Sequence, residues 1–167
     1  MKVSVLILTG VSGSGKTTIG VLLAKRLSWP YAEADSFHSA ANVAKMAGGH
    51  PLTDEDRWPW LRSIAAWIDD RIAKGENGVV TCSALKRSYR AVLSRPEARF
   101  VYLRGDRELI AQRIGVRTGH YFKPGLLDSQ FADLEEPSAD EGVISVGIAA
   151  EPAEIVDEII VATRVAS

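Results

Sequence analysis

The feature that most constrains the fold is a glycine-rich segment between an apolar run and a helical pattern. It matches G-x-x-x-x-G-K-[ST] at every fixed position, with Gly10, Val11, Ser12, Gly13, Ser14, Gly15, Lys16 and Thr17 in order. The apolar run from Val3 to Leu8 predicts a buried strand before the segment, and apolar residues at helical spacing predict a helix over 16–27 after it. A strand, a glycine-rich turn and a helix in this order predict a phosphate-binding loop rather than a chance match in a Gly/Ser-rich turn.

The chemistry of this loop follows from its residue types. Glycines let successive backbone N–H groups point at phosphate oxygens, and the helix N-terminus adds partial positive charge. We predict that Lys16 reaches the β- and γ-phosphates of a nucleotide and that the Thr17 hydroxyl coordinates Mg²⁺. Thr18, in the first helical turn, belongs to the same predicted nucleotide site.

The rest of the chain alternates between short apolar runs and helical patterns. Further strands are predicted at Tyr31–Ala34, Val79–Cys82, Arg99–Leu103 and Val143–Val146, with helices over 57–74, 85–94 and 106–116 and from near Pro152. This order predicts a three-layer α/β fold with a five-stranded parallel sheet, helices on both faces and ligands at the carboxyl ends of the strands. Residues 35–56 and 117–138 fit neither a strand nor a simple crossover helix, so we predict a substrate-binding insertion and a lid there.

Length and charge narrow the classes of protein. The 167 residues predict one domain, and a net charge of -1 excludes the global basic field that nucleic-acid or membrane binding uses. No apolar run approaches the roughly 18 residues of a membrane span. The single cysteine, Cys82, lies in an apolar run typical of a buried, inert thiol. We expect a cytoplasmic protein whose partners are small molecules rather than nucleic acid or membrane.

Further blocks of the sequence resemble the gluconate kinase family. They are Asp35-Ser36-Phe37-His38, Asn42-Val43-Ala44-Lys45-Met46, the stretch from Gly49 to Leu61, Cys82-Ser83-Ala84-Leu85-Lys86, Tyr89-Arg90, Gly119-His120-Tyr121-Phe122 and Leu126-Leu127-Asp128-Ser129-Gln130-Phe131. With the glycine-rich loop, the resemblance extends over most of the chain, to about Pro137. It implies a homodimeric kinase of the nucleoside-monophosphate-kinase fold type that phosphorylates D-gluconate on its 6-hydroxyl with ATP and Mg²⁺.

Two positions depart from the family pattern. Glu33-Ala34-Asp35 stands where the family usually has Asp-Gly-Asp, and Ser39 stands where it usually has proline. Asp35 keeps its place, so the resemblance still implies phosphoryl transfer. The extra methylene of Glu33 is expected to change how the water shell of the metal is held.

Two carboxylates close the second predicted strand. Asp35 is the candidate to align the attacking hydroxyl and accept its proton; the alternative is an exposed turn residue or a helix cap. Glu33 either holds Mg²⁺ through water or is a solvated carboxylate at the strand end. No acidic residue ends the third strand, which suits small-metabolite and nucleotide kinases better than switch GTPases or motor ATPases.

Four basic residues are candidates for substrate binding in this part of the chain. The planar fork of Arg57 suits a bidentate carboxylate; the alternative is an ion pair with an acidic residue just before it. His38 is a candidate to hydrogen-bond sugar hydroxyls, or else a satisfied structural histidine. Lys86 and Arg90 follow the third strand and either bind the carboxylate or hydroxyls or form a solvated helix face.

Two arginines precede the predicted lid. Arg113 and Arg117 are four residues apart on one predicted helix face, where they repel each other unless an anion lies beside them. In the fold type that the resemblance implies, the first stacks on adenine and the second acts on the phosphates from the lid. His120 adjoins them as a candidate substrate contact; the alternative for both arginines is that they are solvated charges.

Two rival functions stay open. One is another small-metabolite kinase of the same fold, such as a shikimate or nucleoside-monophosphate kinase, and the blocks around Arg57 and from Leu126 to Phe131 argue against it. The other is a nucleotide-binding regulatory module without phosphotransfer. The joint presence of Lys16, Thr17 and Asp35 argues against that module.

Overall fold

The computed structural model of the protein describes residues 3–11, 13–50, 52–115 and 124–164. The strands are β1 (Val5–Thr9), β2 (Tyr31–Glu33), β3 (Gly78–Thr81), β4 (Ala98–Arg104) and β5 (Ile144–Gly147). The helices are α1 (Lys16–Leu27), α2 (Ala40–Ala47), α3 (Asp54–Ala73), α4 (Arg87–Leu93), α5 (Arg107–Gly115), α6 (Pro124–Asp133) and α7 (Pro152–Thr163), with short 3₁₀ turns at Ala34–Phe37 and Ala139–Glu141. No helix among these residues is long and apolar enough to cross a membrane.

The sheet is parallel throughout, in the order β2-β3-β1-β4-β5. The predicted five-stranded α/β fold is therefore confirmed. Strand β1 lies in the middle, and the chain leaves it first towards β2 and β3 and later towards β4 and β5. Such a reversal opens a crevice at the carboxyl ends of the strands, and ligands of open α/β sheets bind there.

Alternate residues of β1 divide the core between the two faces of the sheet. Leu6 and Leu8 pack with α1 and α7, and Val5 and Ile7 pack with α3 and α4. All four are fully buried, as a parallel strand covered on both faces requires. Helix α1 lies close against β3, because a Cβ at Gly20 would come within 2.6 Å of the Thr81 side chain.

Helix α3 begins three residues earlier than predicted. The Thr53 hydroxyl accepts a hydrogen bond from the Asp56 N–H at 3.2 Å, and the Asp56 carboxylate accepts one from the Thr53 N–H at 2.9 Å. This capping box satisfies N–H groups of the first turn and starts the helix at Asp54. Pro59 is consequently an interior helical residue and not, as predicted, part of the first turn. It has no N–H to donate to the carbonyl four residues earlier.

The two segments predicted as insertion and lid contain helices. Residues 35–56 form most of a 3₁₀ turn, helix α2 and the start of α3. Ser39, the departure from the family pattern, caps α2 by accepting a hydrogen bond from the Asn42 N–H at 3.2 Å. Of the predicted lid, 117–123 lies outside the described residues, and α6 forms the following part.

Candidate active site

The glycine-rich loop lies between β1 and α1, at the carboxyl edge of the sheet. Gly10 has φ +148°, and a Cβ there would lie 2.9 Å from both the Leu103 carbonyl oxygen and the Ser14 Oγ. Only glycine fits this position without displacing the loop. The Ser14 hydroxyl is buried and has no hydrogen-bond partner among the described residues. Such a group is costly unless a ligand or water supplies a partner, which suits a loop built to receive phosphate.

Lys16 lies against the loop that precedes it. Its ammonium donates to the carbonyl oxygens of Gly10 and Val11, at 2.8 and 3.0 Å. These bonds hold the positive charge beside the first turn of the loop, where it can meet phosphate oxygens. Ser12, the third residue of the motif, lies outside the described residues.

Thr17 and Glu33 are in direct contact, although they are sixteen positions apart in the chain. The Thr17 hydroxyl donates to the Glu33 carboxylate, because β2 ends beside the first turn of α1. A hydroxyl that gives its proton to a carboxylate directs its oxygen lone pairs elsewhere, which suits a Mg²⁺ ligand. Burial raises the pKa of nearby Tyr31, and the charge of Glu33 adds to the rise.

The oxygen groups of Thr17 and Glu33 fit a Mg²⁺ ion that keeps water and phosphate ligands. No group of three His, Cys, Asp or Glu side chains that could hold a metal occurs within the described ranges. The described residues therefore offer no site in which side chains of these four types alone would surround a metal ion. Mg²⁺ in kinases commonly uses one or two protein oxygens together with substrate phosphates and water, and this site can provide those two.

Asp35 follows β2 in the 3₁₀ turn and is exposed. Its carboxylate makes no hydrogen bond within the part of the chain that the structure describes. The turn itself is fixed, because the indole N–H of Trp60 donates to the Ala34 carbonyl at 2.7 Å and the Ser36 hydroxyl donates to the Glu33 carbonyl at 2.7 Å. These two bonds hold the backbone of the turn that carries the exposed Asp35 carboxylate.

The thiol of Cys82 is buried just after β3. Burial is the main reason why its pKa rises to about 12. The negative charge of Asp35 adds to the rise, whereas the positive charges of Lys16 and Arg57 oppose it. The thiol stays protonated and inert at neutral pH, as the sequence predicted.

Arg57 does not pair with the acidic residues that precede it. Asp56 binds Lys45 at 2.7 Å, and this contact is the main reason why its pKa falls to about 2. Asp54 accepts hydrogen bonds from Lys86 at 3.1 Å and from the Tyr89 hydroxyl. The local ion pair that was the alternative for Arg57 is absent from the structure.

The partners of Arg57 come from α4 and α6 instead. Its Nη1 donates to the Tyr89 hydroxyl at 3.0 Å and to the Asp133 carboxylate at 3.2 Å. The guanidinium also lies over the Tyr89 ring, with Cζ 5.4 Å from the ring centre. Arg57 is only 12% exposed, so it offers a partly desolvated cation beside Lys86.

His38 lies flat against Trp60, with ring centres 4.2 Å apart and an angle of 11° between the rings. Burial lowers its pKa, with a smaller contribution from Arg57, while Asp35 opposes the shift. The ring is therefore neutral at pH 7, and can donate from one nitrogen and accept at the other. Its Nδ1 lies 3.4 Å from the Asn42 amide nitrogen.

Arg90, by contrast, is a structural residue in this geometry. It is 3% exposed and holds Glu141 through two hydrogen bonds, of 2.7 and 3.1 Å. Its Nη1 donates to the carbonyls of Ala84 and Leu85, each at 3.1 Å. Ala84 has φ +36°, so these bonds fix a loop with an unfavourable backbone conformation beside the site. Arg90 has too few free N–H groups to serve as the substrate ligand that the sequence suggested.

A cleft of about 370 Å³ adjoins the glycine-rich loop. Residues 13–15 and Thr18 form one side, and Arg113 and residues 149–152 form the other. Arg113 is held on its side of the cleft, since its Nη2 donates to the Ile148 carbonyl at 2.7 Å. The position next to the phosphate loop suits the base and ribose of a nucleotide. Arg117 and His120 lie outside the described residues.

Three groups at this edge of the sheet were not predicted from the sequence. The first is the segment 149–152, which follows β5; the rule that ligands bind at carboxyl strand ends could have found it. The others are the Tyr89 hydroxyl and the Asp133 carboxylate at Arg57. Asp133 is 76 positions from Arg57, and no local pattern connects the two.

Comparison with known proteins shows the relatives of this chain. The chain matches the shikimate kinase family over residues 12–160. A gluconokinase of Gluconobacter oxydans is 43% identical over 162 residues, which cover 96% of this chain and 91% of the relative.

Solved structures show the same relationship. A sugar kinase from Janibacter sp. HTCC2649 has a TM-score of 0.93 at 44% identity and covers 98% of this chain and 96% of its own. A gluconokinase from Sinorhizobium meliloti 1021 has a TM-score of 0.84 at 42% identity, with coverage of 95% and 90%. The resemblance drawn from the sequence blocks is thereby confirmed.

Proposed function

The chain belongs to the gluconokinase family, and on that premise we propose how its own residues perform the reaction. The enzyme transfers the terminal phosphoryl group of ATP to the 6-hydroxyl of D-gluconate. The observation that supports this best is that two hydrogen bonds join the elements that carry Lys16, Asp35 and Arg57: Trp60 of α3 donates to the Ala34 carbonyl beside Asp35, and Thr17, next to Lys16, donates to Glu33 at the end of β2. Lys16 binds phosphate, Asp35 offers a carboxylate with no hydrogen-bond partner among the described residues, and Arg57 receives the substrate carboxylate.

The nucleotide occupies the loop and the cleft beside it. Backbone N–H groups of residues 10–15 surround the phosphates, and Lys16 neutralises charge on the transferring group. Arg113 and residues 149–152 contain the base and ribose. Arg117, in the lid, approaches the phosphates as a second cation.

The Thr17 hydroxyl would hold Mg²⁺, and Glu33 would hold it through water. The ion would supply positive charge that neutralises the charge of the nucleotide phosphates. Glu33, which stands where the family usually has aspartate, contacts Thr17 directly in this chain. Loss of the Glu33 carboxylate should raise the Mg²⁺ concentration needed for half-maximal rate.

Asp35 orients the 6-hydroxyl of gluconate and accepts its proton as the phosphoryl group arrives. Phosphoryl transfer has a loose transition state, so alignment by a fixed carboxylate contributes more than strong basicity. The rigid turn between Glu33 and Phe37 provides that alignment. His38 and Lys86 contact the sugar hydroxyls, and His120 closes on them from the lid.

Arg57 receives the carboxylate at carbon 1. Its guanidinium is mostly buried beside Tyr89, so a bound carboxylate forms a charge-assisted pair with little competition from water. The described residues also form a cleft between Phe37, Ser39 and the outer face of α3, but Glu55 and Asp56 line it. Those carboxylates repel an anionic substrate, which favours the Arg57 side of α3.

A coupled assay of ADP release tests the function directly. The panel contains gluconate, other sugar acids, glucose, shikimate and nucleoside monophosphates, each with ATP and Mg²⁺. Turnover of gluconate with none of shikimate or the nucleotides supports the proposal. Preference for shikimate or a nucleotide contradicts it, and ATP binding without any turnover indicates a regulatory module.

We also propose a cytoplasmic homodimer, which the family resemblance and the single buried cysteine favour. Sedimentation velocity at micromolar concentration distinguishes a dimer from a monomer of 18.1 kDa.

A further inference from the structure

The partner of Arg57 has the same chemistry as the group that Arg57 is proposed to bind. Asp133, the last residue of α6, offers one carboxylate oxygen to Nη1 at 3.2 Å. The Nε and Nη2 atoms of Arg57 make no hydrogen bond within the described residues. Asp133 therefore holds the guanidinium through one nitrogen only, and the two-nitrogen edge that suits a planar carboxylate is left available.

The Asp133 side chain can leave Arg57 without unfolding its helix. The end of α6 is fixed by its neighbours, since the Glu135 N–H donates to the Leu85 carbonyl at 2.8 Å and Phe131 and Leu134 pack against the core. The Asp133 carboxylate itself is 28% exposed and has Arg57 as its one hydrogen-bond partner among the described residues. Rotation of this side chain towards water breaks a single contact.

We propose that Asp133 is an intramolecular competitor of the substrate carboxylate at Arg57. The proposal rests on the proposed function, in which Arg57 receives the carboxylate of gluconate. A sugar acid that pairs with the available edge brings a second carboxylate to the guanidinium that Asp133 already holds, so the two carboxylates share one positive charge and repel each other. This repulsion is subtracted from the affinity, so Asp133 keeps gluconate binding weaker than Arg57 alone would make it.

Competition also affects which substrates bind. A neutral sugar carries no charge for Asp133 to repel, so Asp133 does not weaken its binding in this way. Arg57 then stays paired with Asp133, because a neutral sugar offers no carboxylate to the guanidinium. Removing the charge of Asp133 should therefore strengthen the binding of sugar acids and leave that of neutral sugars unchanged.

The test is Asp133→Asn, which removes the charge and keeps the shape. The pair is partly exposed and monodentate, and pairs of this kind contribute a factor of about two to five in an equilibrium constant. We expect KM and the calorimetric Kd for gluconate to fall by about two- to fivefold, with KM for ATP unchanged. The matched control is Asp128→Asn on the same helix, which removes an exposed carboxylate that pairs with Arg107 and should leave gluconate binding as it is.

A double mutant separates competition from general effects of charge. In an Arg57→Leu background, Asp133→Asn should no longer strengthen gluconate binding, because the shared partner is gone. A rise in KM or Kd in Asp133→Asn would overturn the proposal and make Asp133 a residue that positions Arg57. An unchanged Kd, an equal fall in Asp128→Asn, or an undiminished fall in the Arg57→Leu background would also overturn it.

Calorimetry keeps this test separate from the test of function. Gluconate is titrated without ATP, so the ratio of Kd values does not depend on whether phosphate is transferred. Gluconate binding with the expected ratio but without turnover would contradict the proposed function and leave the competition intact. Failure of gluconate to bind either protein would overturn the competition as well.

Discussion

Replacing Glu141 with glutamine should destabilise the protein and leave gluconate binding unchanged, because Arg90 is held inside the structure. Arg90 is 3% exposed and Glu141 is 10% exposed, and two hydrogen bonds join them. Removing one charge of a buried pair costs about 3–5 kcal/mol, because the other charge stays buried without compensation. Glutamine can still accept one hydrogen bond, so we expect the lower end, about 3 kcal/mol.

The loss is large compared with the whole stability of a domain, which is about 5–15 kcal/mol. For a chain of this size, 1 kcal/mol corresponds to about 2–4 °C in Tm, so Glu141→Gln should lower Tm by about 6–12 °C. Arg90→Leu should cost more, since it also leaves the Ala84 and Leu85 carbonyls without their donor. Urea unfolding followed by circular dichroism gives the free energy of unfolding of each variant at pH 7.

The control is Asp140→Asn, one position away. Asp140 pairs with Arg87, but the two side chains are 62% and 56% exposed, so its loss should change stability by less than about 1 kcal/mol. Equal destabilisation by both variants would contradict a buried pair at Arg90. So would an Arg90→Leu protein of normal stability whose KM for gluconate is raised tenfold, which would make Arg90 a substrate ligand.

The same pair gives a dependence on pH. The hydrogen bonds from Arg90 are the main reason why the pKa of Glu141 is lowered in the folded protein. A carboxyl group of this kind stabilises the fold above its unfolded pKa, about 4.3, and loses that contribution as pH falls through the folded value. The stability difference between the wild type and Glu141→Gln should therefore be complete at pH 7 and shrink below about pH 4.3.

Substitutions at three residues test the proposed roles in catalysis. Lys16→Met should lower kcat by about 10²–10³-fold with the circular dichroism spectrum unchanged, because one charge on the transition state is lost; near-normal kcat would refute that role. Asp35→Asn should lower kcat by about 10²–10⁴-fold with little change in the Kd for ATP, and an unchanged kcat would make it only an exposed turn residue. Arg57→Leu should lower kcat/KM for gluconate at least about 30-fold, from a lost pair of roughly 2–5 kcal/mol, and Arg57→Lys by less. If Arg57→Leu lowers kcat/KM for gluconate by less than about threefold, Lys86 becomes the candidate ligand of the substrate carboxylate.

The fold could be predicted because its signals are local. Apolar runs of four to six residues predicted five strands, and the alternation with helices predicted a parallel sheet. The start of α3 was wrong because the prediction used the proline rule and not the capping box of Thr53 and Asp56. Those two side chains fix the first turn through their own hydrogen bonds, and a proline further along the helix does not cancel them.

The site could be predicted only in part. The phosphate loop and the acidic end of β2 were found because the motif and the strand ends determine them. The contact of Arg57 with Asp133 was missed, since the sequence offered only a substrate carboxylate or, as the alternative, an ion pair with Asp54 or Asp56. In the folded chain the capping box and Lys45 engage Asp56, and Lys86 and Tyr89 engage Asp54. Arg57 instead pairs with Asp133, a residue from a distant helix.

The N–H donors without a partner among the described residues distinguish the three cations that the sequence proposed as substrate ligands, Arg57, Lys86 and Arg90. An arginine has five N–H donors and a lysine three. Arg90 uses four of its five in the described contacts and is buried, whereas Arg57 uses two of five and Lys86 one of three. A substrate carboxylate needs two adjacent donors that approach it in one plane, and Arg57 alone of the three retains such an edge beside a partly desolvated wall. We therefore propose Arg57 as the carboxylate ligand because of the donors that have no partner among the described residues, and not because of the charge that all three share.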